Sequence, residues 1–302
     1  MDLSSIDMKK EFAYCNKVAP KQTATILGGK FTYRYYKNPS PKVNATIVML
    51  AGGTGLGDAF AGLARSFIER YSLLSFNYPM CYKNNNRTAD AIAELIRHTG
   101  AENVYLWGQS YGGVLAQIIA KRHPDVVKGM ILTSTASMSN NLNFEGMQCF
   151  VNMVSKEKEK KNISTYKKMP MSLLPALMNL AFKKHLKNNP GAQEAIKEIH
   201  KQVKPDMTKE YFCHMAHLLG DLRNHIGTHS QKDFEFLRER VLIIEPDDDK
   251  TFSEDIKQEL IRMMPKPEVV RNLSGGHLAM MFDFDGFIKI INGFMDKQVL
   301  DM

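Results

Sequence analysis

The sequence predicts an α/β fold with a mostly parallel central sheet, flanked by helices and interrupted near the middle of the chain by a helical insertion. Short apolar runs alternate with helical patterns up to about residue 132, which is typical of βαβ units. Mostly helical sequence rich in Lys and Met then fills residues 140–236, and strand-like runs return at 241–244 and 268–270. A chain of 302 residues can bury one large core with one insertion. We therefore expect a core domain over 1–139 and 237–302 and a helical cap over 140–236.

The individual elements follow from local patterns. A hairpin is expected first, with strands over 23–27 and 30–36 around Gly28-Gly29, and a strand over 45–50 then runs into the glycine-rich segment 52–55. The later elements expected before the insertion are helices over 58–70, 87–97 and 111–122 and strands over 71–76, 104–107 and 127–132. After the insertion, helices are expected over 253–264 and 282–295.

Composition and charge exclude several functions. The formal net charge is +8, but the densest basic run, Lys156–Lys161, alternates in sign and is typical of a solvated helix face, and no nucleic-acid-binding motif is present. We therefore expect no nucleic-acid partner. No apolar run approaches the roughly 20 residues of a membrane span, so we also expect no stable membrane insertion. The segment Met1–Asp7 has acidic residues and no apolar signal-peptide core, which favours a cytoplasmic protein. The cysteines are widely spaced and predict free thiols, namely Cys15, Cys81, Cys149 and Cys213.

The motif Gly108-Gln109-Ser110-Tyr111-Gly112 lies between a predicted strand and a predicted helix. A G-x-S-x-G motif in this context is typical of a nucleophilic serine on a strained turn, with small residues two positions before and after it to avoid collisions. The alternative interpretation is a glycine-rich turn that binds phosphate. The glycine pattern lacks both G-x-G-x-x-G and a Walker lysine, which favours the nucleophile.

A serine nucleophile needs a base and a third group that orients the base. His277 follows the last predicted core strand in the turn Ser274-Gly275-Gly276-His277, where a flexible turn can carry an imidazole to the serine. The strand over 241–244 runs into three adjacent aspartates, Asp247-Asp248-Asp249, any of which could orient that imidazole. The two aspartates that do not orient the imidazole would instead form part of a turn and the N-cap of the next helix.

These motifs resemble the α/β-hydrolase superfamily over most of the chain. The resemblance rests on Leu50–Gly53, the serine motif, Arg122–Leu132 and the two loops that carry the aspartates and His277. In that family the acid often ends a G-x-x-D loop; Pro246 takes the glycine's place here, which favours Asp249 over Asp248. The family's helical lid matches residues 140–236.

The resemblance also implies an oxyanion hole formed by the backbone N–H groups of Tyr111 and Gly53. Relatives often carry His-Gly where this chain has Ala51-Gly52, a departure that could reshape the loop. The segments Leu50–Gly55 and Asn77-Tyr78-Pro79 are weakly similar to the maspardin-like branch, in which a scaffold role without a working triad is known.

Together these features predict a serine hydrolase that cleaves an ester, thioester or related acyl bond of a small molecule through Ser110, His277 and Asp249. The mechanism needs no cofactor or metal. An iminopeptidase, a carbon–carbon bond hydrolase and a non-catalytic adaptor are the alternatives. Nothing in the sequence indicates the oligomeric state.

The predicted lid leaves substrate choice open. It holds more basic than acidic residues, which suggests anionic acyl substrates as a hypothesis. The segments Met169–Met171 and Leu173–Met178 could line an adaptable apolar pocket or simply pack on the core. His214 and His217, beside Cys213, could bind a metal, but a surface position or lid packing is favoured.

Overall fold

The computed structural model describes residues 3–40, 42, 44–142, 146–174, 187 and 189–300. Its central sheet has the strands β1 (Gln22–Ile26), β2 (Gly29–Tyr36), β3 (Thr46–Leu50), β4 (Ser72–Phe76), β5 (Val104–Gln109), β6 (Gly129–Thr133), β7 (Val241–Ile244) and β8 (Glu268–Val270). They lie side by side in the order β1-β2-β4-β3-β5-β6-β7-β8.

The sheet is parallel except at one end. The hairpin β1–β2 is antiparallel, and β2 pairs antiparallel with β4, whereas every other neighbouring pair is parallel. The carboxyl ends of β3, β5, β6, β7 and β8 therefore meet at one edge. In open α/β sheets this edge is where ligands bind.

Helices cover both faces of the sheet. The described helices are α1 (Met8–Val18), α2 (Arg65–Ile68), α3 (Asn85–Thr99), α4 (Tyr111–Arg122), α5 (Gly146–Met153), α6 (Lys156–Lys168), α7 (Pro190–Val203), α8 (Lys209–Asp221), α9 (Glu254–Met263), α10 (Ala279–Phe282) and α11 (Phe284–Leu300). Alternate residues of each strand enter opposite cores, because side chains in a strand alternate between its two faces. Leu106 packs in the core that contains α3 and α4, and its neighbour Trp107 packs in the core that contains α1 and α11.

The predicted fold class is confirmed, and the predicted helical insertion coincides with α5–α8, which the chain places between β6 and β7. The Lys-rich run forms α6, which has no buried residue and begins after an N-cap bond in which Lys158 N–H donates to Ser155 Oγ at 3.2 Å. Helix α6 packs against α8, so the insertion has its own helix–helix contacts. The boundaries at 140 and 236 remain a prediction.

One local prediction was wrong, and one helix was not predicted. The segment 58–70 forms a 3-10 turn (Gly57–Leu63) followed by the short α2, because tertiary contacts override its helical spacing. A Cβ on Gly57 would lie 2.0 Å from the carbonyl oxygen of Phe76, and buried Asp58 binds Arg34 at 3.0 Å. Helix α1 was not predicted, although Met8, Phe12 and Cys15 have helical spacing and are buried.

Two further sequence expectations concern thiols and membranes. The four cysteines are unpaired, as their spacing predicted. Within the described part of the chain, every helix is too short or too polar to cross a lipid bilayer.

Gly112 and Gly293 give a matched test of this packing. A Cβ on Gly112 would lie 2.0 Å from the backbone carbonyl oxygen of Leu50, whereas a Cβ on Gly293, within α11, meets no atom within 4 Å. We expect Gly112→Ala to lower the free energy of unfolding by at least about 1–3 kcal/mol through overpacking. Gly293→Ala should raise it by about 0.5–1 kcal/mol, because alanine favours a helix. Urea denaturation measures both, and equal effects of the two substitutions would contradict the close contact between α4 and β3.

Candidate active site

Ser110 occupies a strained turn between β5 and α4. Its backbone has φ 54° and ψ −118°, a conformation that costs a non-glycine residue on the order of 1–3 kcal/mol. Two contacts from the end of β6 hold it: Ser110 N–H donates to the carbonyl oxygen of Thr133 at 2.9 Å, and Thr135 Oγ1 donates to the Ser110 carbonyl oxygen at 2.6 Å. A Cβ on Gly108 would lie 2.3 Å from the Gly112 carbonyl oxygen, which explains the small residues of the motif.

His277 lies on the turn after β8 and pairs with Asp249. The ring Nδ1 and Asp249 Oδ2 are 2.9 Å apart, and the aspartate side chain is fully buried. Burial by itself raises the pKa of Asp249, but the hydrogen bond and charge of His277, with hydrogen bonding from Thr251, outweigh it and hold the pKa below its usual value. An ionised Asp249 places the proton on Nδ1 and leaves Nε2 as the acceptor of the ring.

The two neighbouring aspartates hold other parts of the same region. Asp248 accepts hydrogen bonds from Gly275 N–H at 3.0 Å and Gly276 N–H at 2.9 Å, so it fixes the turn that carries His277. Asp247 forms an ion pair with Arg271 at 2.7 Å. The suggested N-cap role for an aspartate was wrong, because Ser253 occupies the N-cap of α9.

Gln109 links the serine turn to the histidine turn. Its Nε2 donates to the carbonyl oxygen of His277 at 3.3 Å. Its Oε1 fills the space above Gly52, where a Cβ would lie 2.2 Å away. A larger residue at position 52 would therefore displace the Gln109 side chain from this position. The G-x-S-x-G pattern leaves position 109 variable, so a role for Gln109 was not predicted from the sequence.

The predicted oxyanion donors belong to the segment after β3 and to the start of α4. Gly53 lines the same cavity as Ser110, and Tyr111 is the first residue of α4, where an N–H has no partner within the helix. No described group accepts a hydrogen bond from either amide. Gly53 lines the cavity, whereas Tyr111 is not among the described residues that line it.

Two tyrosine hydroxyl groups anchor the glycine loop over 51–55. Tyr78 Oη donates to the Ala51 carbonyl oxygen at 2.8 Å, and Tyr211 Oη, from α8, donates to the Gly55 carbonyl oxygen at 2.7 Å. The second bond ties the helical insertion to the loop that carries Gly53. Neither anchoring role was predicted from the sequence, because the contacts join segments far apart in the chain.

A cavity of about 480 Å³ contains both Ser110 and His277. Its described lining residues are Gly52, Gly53, Thr54, Leu56, Ala59, Phe60, Gln109, Ser110, Tyr166, Leu174, Ile196, Ile199, His200, Val203, Phe212, Leu219, His277, Leu278, Met280 and Met281. This set is largely apolar and holds no Asp, Glu, Lys or Arg. Of the two Met-rich segments suggested as pocket walls, only Leu174 is in this set, and residues 175–178 lie outside the described chain.

Glu245 is a buried carboxyl group directly after β7, at the start of the loop that carries Asp249 (the acid loop). Its Oε1 accepts a hydrogen bond from Thr135 N–H at 2.8 Å, and its Oε2 has no partner among the described residues. Burial, with a smaller contribution from the charge of Asp249, raises the pKa of Glu245 to about 8. Glu245 is therefore protonated at neutral pH, and Thr135 connects it to the backbone of Ser110.

The histidines considered as metal ligands have other roles. Burial lowers the pKa of His214 to about 4, and His217 Nδ1 lies 2.6 Å from Glu159 Oε1, a contact between α8 and α6. Within the described residues, no group of three His, Cys, Asp or Glu side chains is arranged to hold a metal ion.

Comparison with known proteins identifies the fold. A family model described as alpha/beta hydrolase fold matches residues 45–157. The enol-lactonase from Burkholderia xenovorans LB400 superposes with a TM-score of 0.70 at 15% identity, over 91% of this chain and 100% of that chain. A thermophilic esterase from Thermogutta terrifontis gives a TM-score of 0.70 at 14% identity, over 92% and 99% of the two chains.

Proline iminopeptidases are also among the similar proteins. The structure from Mycobacterium smegmatis has a TM-score of 0.60 at 14% identity, over 93% of this chain and 99% of that chain. A curated protein from Streptomyces coelicolor, described as a probable proline iminopeptidase, is 43% identical over 58 residues. That match covers only 18% of this chain and 18% of the relative.

The protein therefore has the α/β-hydrolase fold, and the resemblance inferred from the sequence motifs is confirmed. The similarity to the maspardin-like branch stays a prediction. The catalytic and oxyanion roles of the residues above also stay predictions.

The buried Glu245 predicts a pH dependence of stability. Between about pH 4.5 and 8 this group is protonated in the folded protein and ionised in the unfolded chain. Folding takes up a proton in this interval, so the free energy of unfolding falls as pH rises through it. Glu245→Gln keeps an acceptor for Thr135 and cannot ionise. We expect its stability relative to wild type to grow with pH up to about 8, by at most about 1.4 kcal/mol per pH unit.

Urea denaturation between pH 5 and pH 8 measures this difference. Glu102→Gln, at an exposed position, is the control for loss of a carboxylate. A Glu245→Gln difference that stays constant over the interval would contradict a buried, protonated Glu245.

Proposed function

We propose that this protein is a serine hydrolase that cleaves an ester, thioester or related acyl bond through an acyl-enzyme on Ser110. One observation carries the proposal: Ser110, in its strained turn, and His277, bonded to a buried carboxylate, line the same cavity. The similar enol-lactonase and esterase structures support a hydrolase.

In the first step, Ser110 Oγ attacks the substrate carbonyl carbon, and His277 Nε2 takes the serine proton. The tetrahedral intermediate collapses, the bond to the leaving group breaks, and His277 gives that proton to the leaving group. Water then attacks the acyl-enzyme, with its proton passing to Nε2 and on to Ser110 as the acid product leaves. Asp249 stays ionised throughout and stabilises the imidazolium.

The amides of Gly53 and Tyr111 would stabilise the negative oxygen of each intermediate. Preformed backbone donors need no reorganisation during the reaction, and loss of one such donor costs on the order of 10²–10³ in rate. The anchoring of the glycine loop by Tyr78 and Tyr211 supports this role, because it holds Gly53 in place before substrate binds.

The apolar lining favours an uncharged, apolar acyl group. The hypothesis of anionic substrates rested on the basic charge of the insertion, but none of the described lining residues is Lys or Arg. An iminopeptidase substrate carries a protonated amine, and burying that charge without a carboxylate partner is costly. The described lining offers no such partner, so acyl hydrolysis is favoured over the iminopeptidase alternative.

A non-catalytic adaptor is disfavoured by the same geometry. A strained serine conformation and a buried carboxylate both cost free energy, and neither is needed for an adaptor surface. No specific observation supports a carbon–carbon bond hydrolase.

A fluorophosphonate probe tests the nucleophile. We expect wild-type protein to be labelled and Ser110→Ala to lose the label completely, because the probe reacts only with an activated serine. Ser164→Ala, at an exposed position on α6, is the control and should label like wild type. The readout is in-gel fluorescence. Labelling that persists in Ser110→Ala, or is absent from wild type, would refute the assignment.

A further inference from the structure

Helix α7 presents one polar side chain to the active-site cavity among apolar ones. Ile196, Ile199, His200 and Val203 line the cavity and lie on one helix face, since residues three, four and seven apart are neighbours on a helix. Ser110 and His277 lie on turns at the carboxyl edge of the sheet, whereas α7 belongs to the helical insertion. His200 is therefore supplied by a different part of the fold from the reacting groups.

The His200 ring has no hydrogen-bond partner among the described residues. It is half-buried, and burial lowers its pKa below the usual value. It is thus neutral near pH 7, with one ring nitrogen as donor and the other as acceptor. A ligand that fills the cavity displaces water from this half-buried ring, so a ligand that forms a hydrogen bond to the ring gains affinity over one that does not.

Helix α7 is held firmly enough to position this ring. Its N-cap is Asn189, whose side chain accepts from Ala192 N–H at 3.0 Å. Its first turn packs closely on the N-terminal segment, because a Cβ on Gly191 would lie 2.6 Å from the Ser4 carbonyl oxygen. A side chain on an anchored helix gives more precise recognition than one on a loop.

The other polar side chains of the described lining are weaker candidates for a hydrogen bond to the substrate. Gln109 already donates to the His277 carbonyl oxygen, and Thr54 belongs to the glycine loop. Tyr166, on α6, packs its ring on Phe212 with 5.4 Å between centroids and is the nearest comparison for His200.

We propose that His200 determines specificity, selecting acyl substrates whose apolar chain carries a neutral hydrogen-bonding oxygen, a ketone or a hydroxyl. Plain alkyl esters leave the ring unsatisfied, and esters with a terminal carboxylate bring a charge that a neutral imidazole does not balance. The inference rests on the proposed acyl hydrolysis at Ser110 and names its substrate class.

Esterase kinetics test the selection. The substrates are p-nitrophenyl hexanoate, its γ-oxo and δ-oxo analogues, and p-nitrophenyl hydrogen adipate. We expect kcat/KM near pH 7 to be about tenfold higher for the better oxo ester than for hexanoate. This ratio should fall to about one in His200→Leu, recover in part in His200→Gln, and persist in Tyr166→Phe.

Three results would overturn the proposal. The ratio could be near one in wild type, it could survive in His200→Leu, or Tyr166→Phe could abolish it instead. A preference for the adipate ester that disappears in His200→Leu would show a charged ring and would equally contradict a neutral His200.

A binding measurement separates this proposal from the catalytic one. Calorimetry on Ser110→Ala compares N-methylhexanamide with its γ-oxo and δ-oxo analogues, which need no turnover. We expect Ser110→Ala to bind one oxo amide about tenfold more tightly than N-methylhexanamide. The double variant with His200→Leu should lose this preference. If wild type hydrolyses no ester but Ser110→Ala still binds one oxo amide more tightly, the catalytic proposal fails and the proposed recognition by His200 stands. Equal binding of all three amides would refute the role of His200 in specificity.

Discussion

The candidate site depends on how the turn carrying His277 is attached to the loop after β7. Asp249 binds the ring itself, while Asp248 binds the backbone N–H groups of Gly275 and Gly276. Lys257 Nζ in turn donates to the Asp249 carbonyl oxygen at 2.8 Å, which fixes the acid loop from α9. Adjacent carboxylates thus fix the ring and the turn that carries it, and the position of the imidazole does not rely on a single contact.

The same site is joined to the helical insertion. Tyr211 reaches from α8 to the glycine loop, and Gln109 spans from the serine turn to His277 beside Gly52. A change in the insertion can therefore alter the loop that carries Gly53 as well as the walls of the cavity. In this arrangement the walls of the cavity and the proposed oxyanion loop share a direct contact through Tyr211.

Much of this architecture could be predicted from local sequence. The strands β5 and β7 and helix α4 have apolar patterns that need no tertiary information, and glycines around Ser110 mark a turn that excludes larger residues. Gln109, Tyr211 and Glu245 could not be found this way, because their partners lie far away in sequence. The segment 58–70 was wrongly predicted as one helix: its helical spacing is real, but the residue before it, Gly57, packs closely on β4 and Asp58 pairs with Arg34, contacts that the local pattern does not contain.

Matched substitution of the adjacent aspartates tests the central claim, that Asp249 orients the catalytic base. Asp249→Asn should lower kcat for p-nitrophenyl ester hydrolysis by about 10⁴, since an amide there favours the wrong imidazole tautomer. Asp248→Asn keeps one of the two oxygens that accept from the turn and should cost no more than about tenfold, the scale of one lost hydrogen bond. The reverse order, or equal losses, would contradict this account of the site.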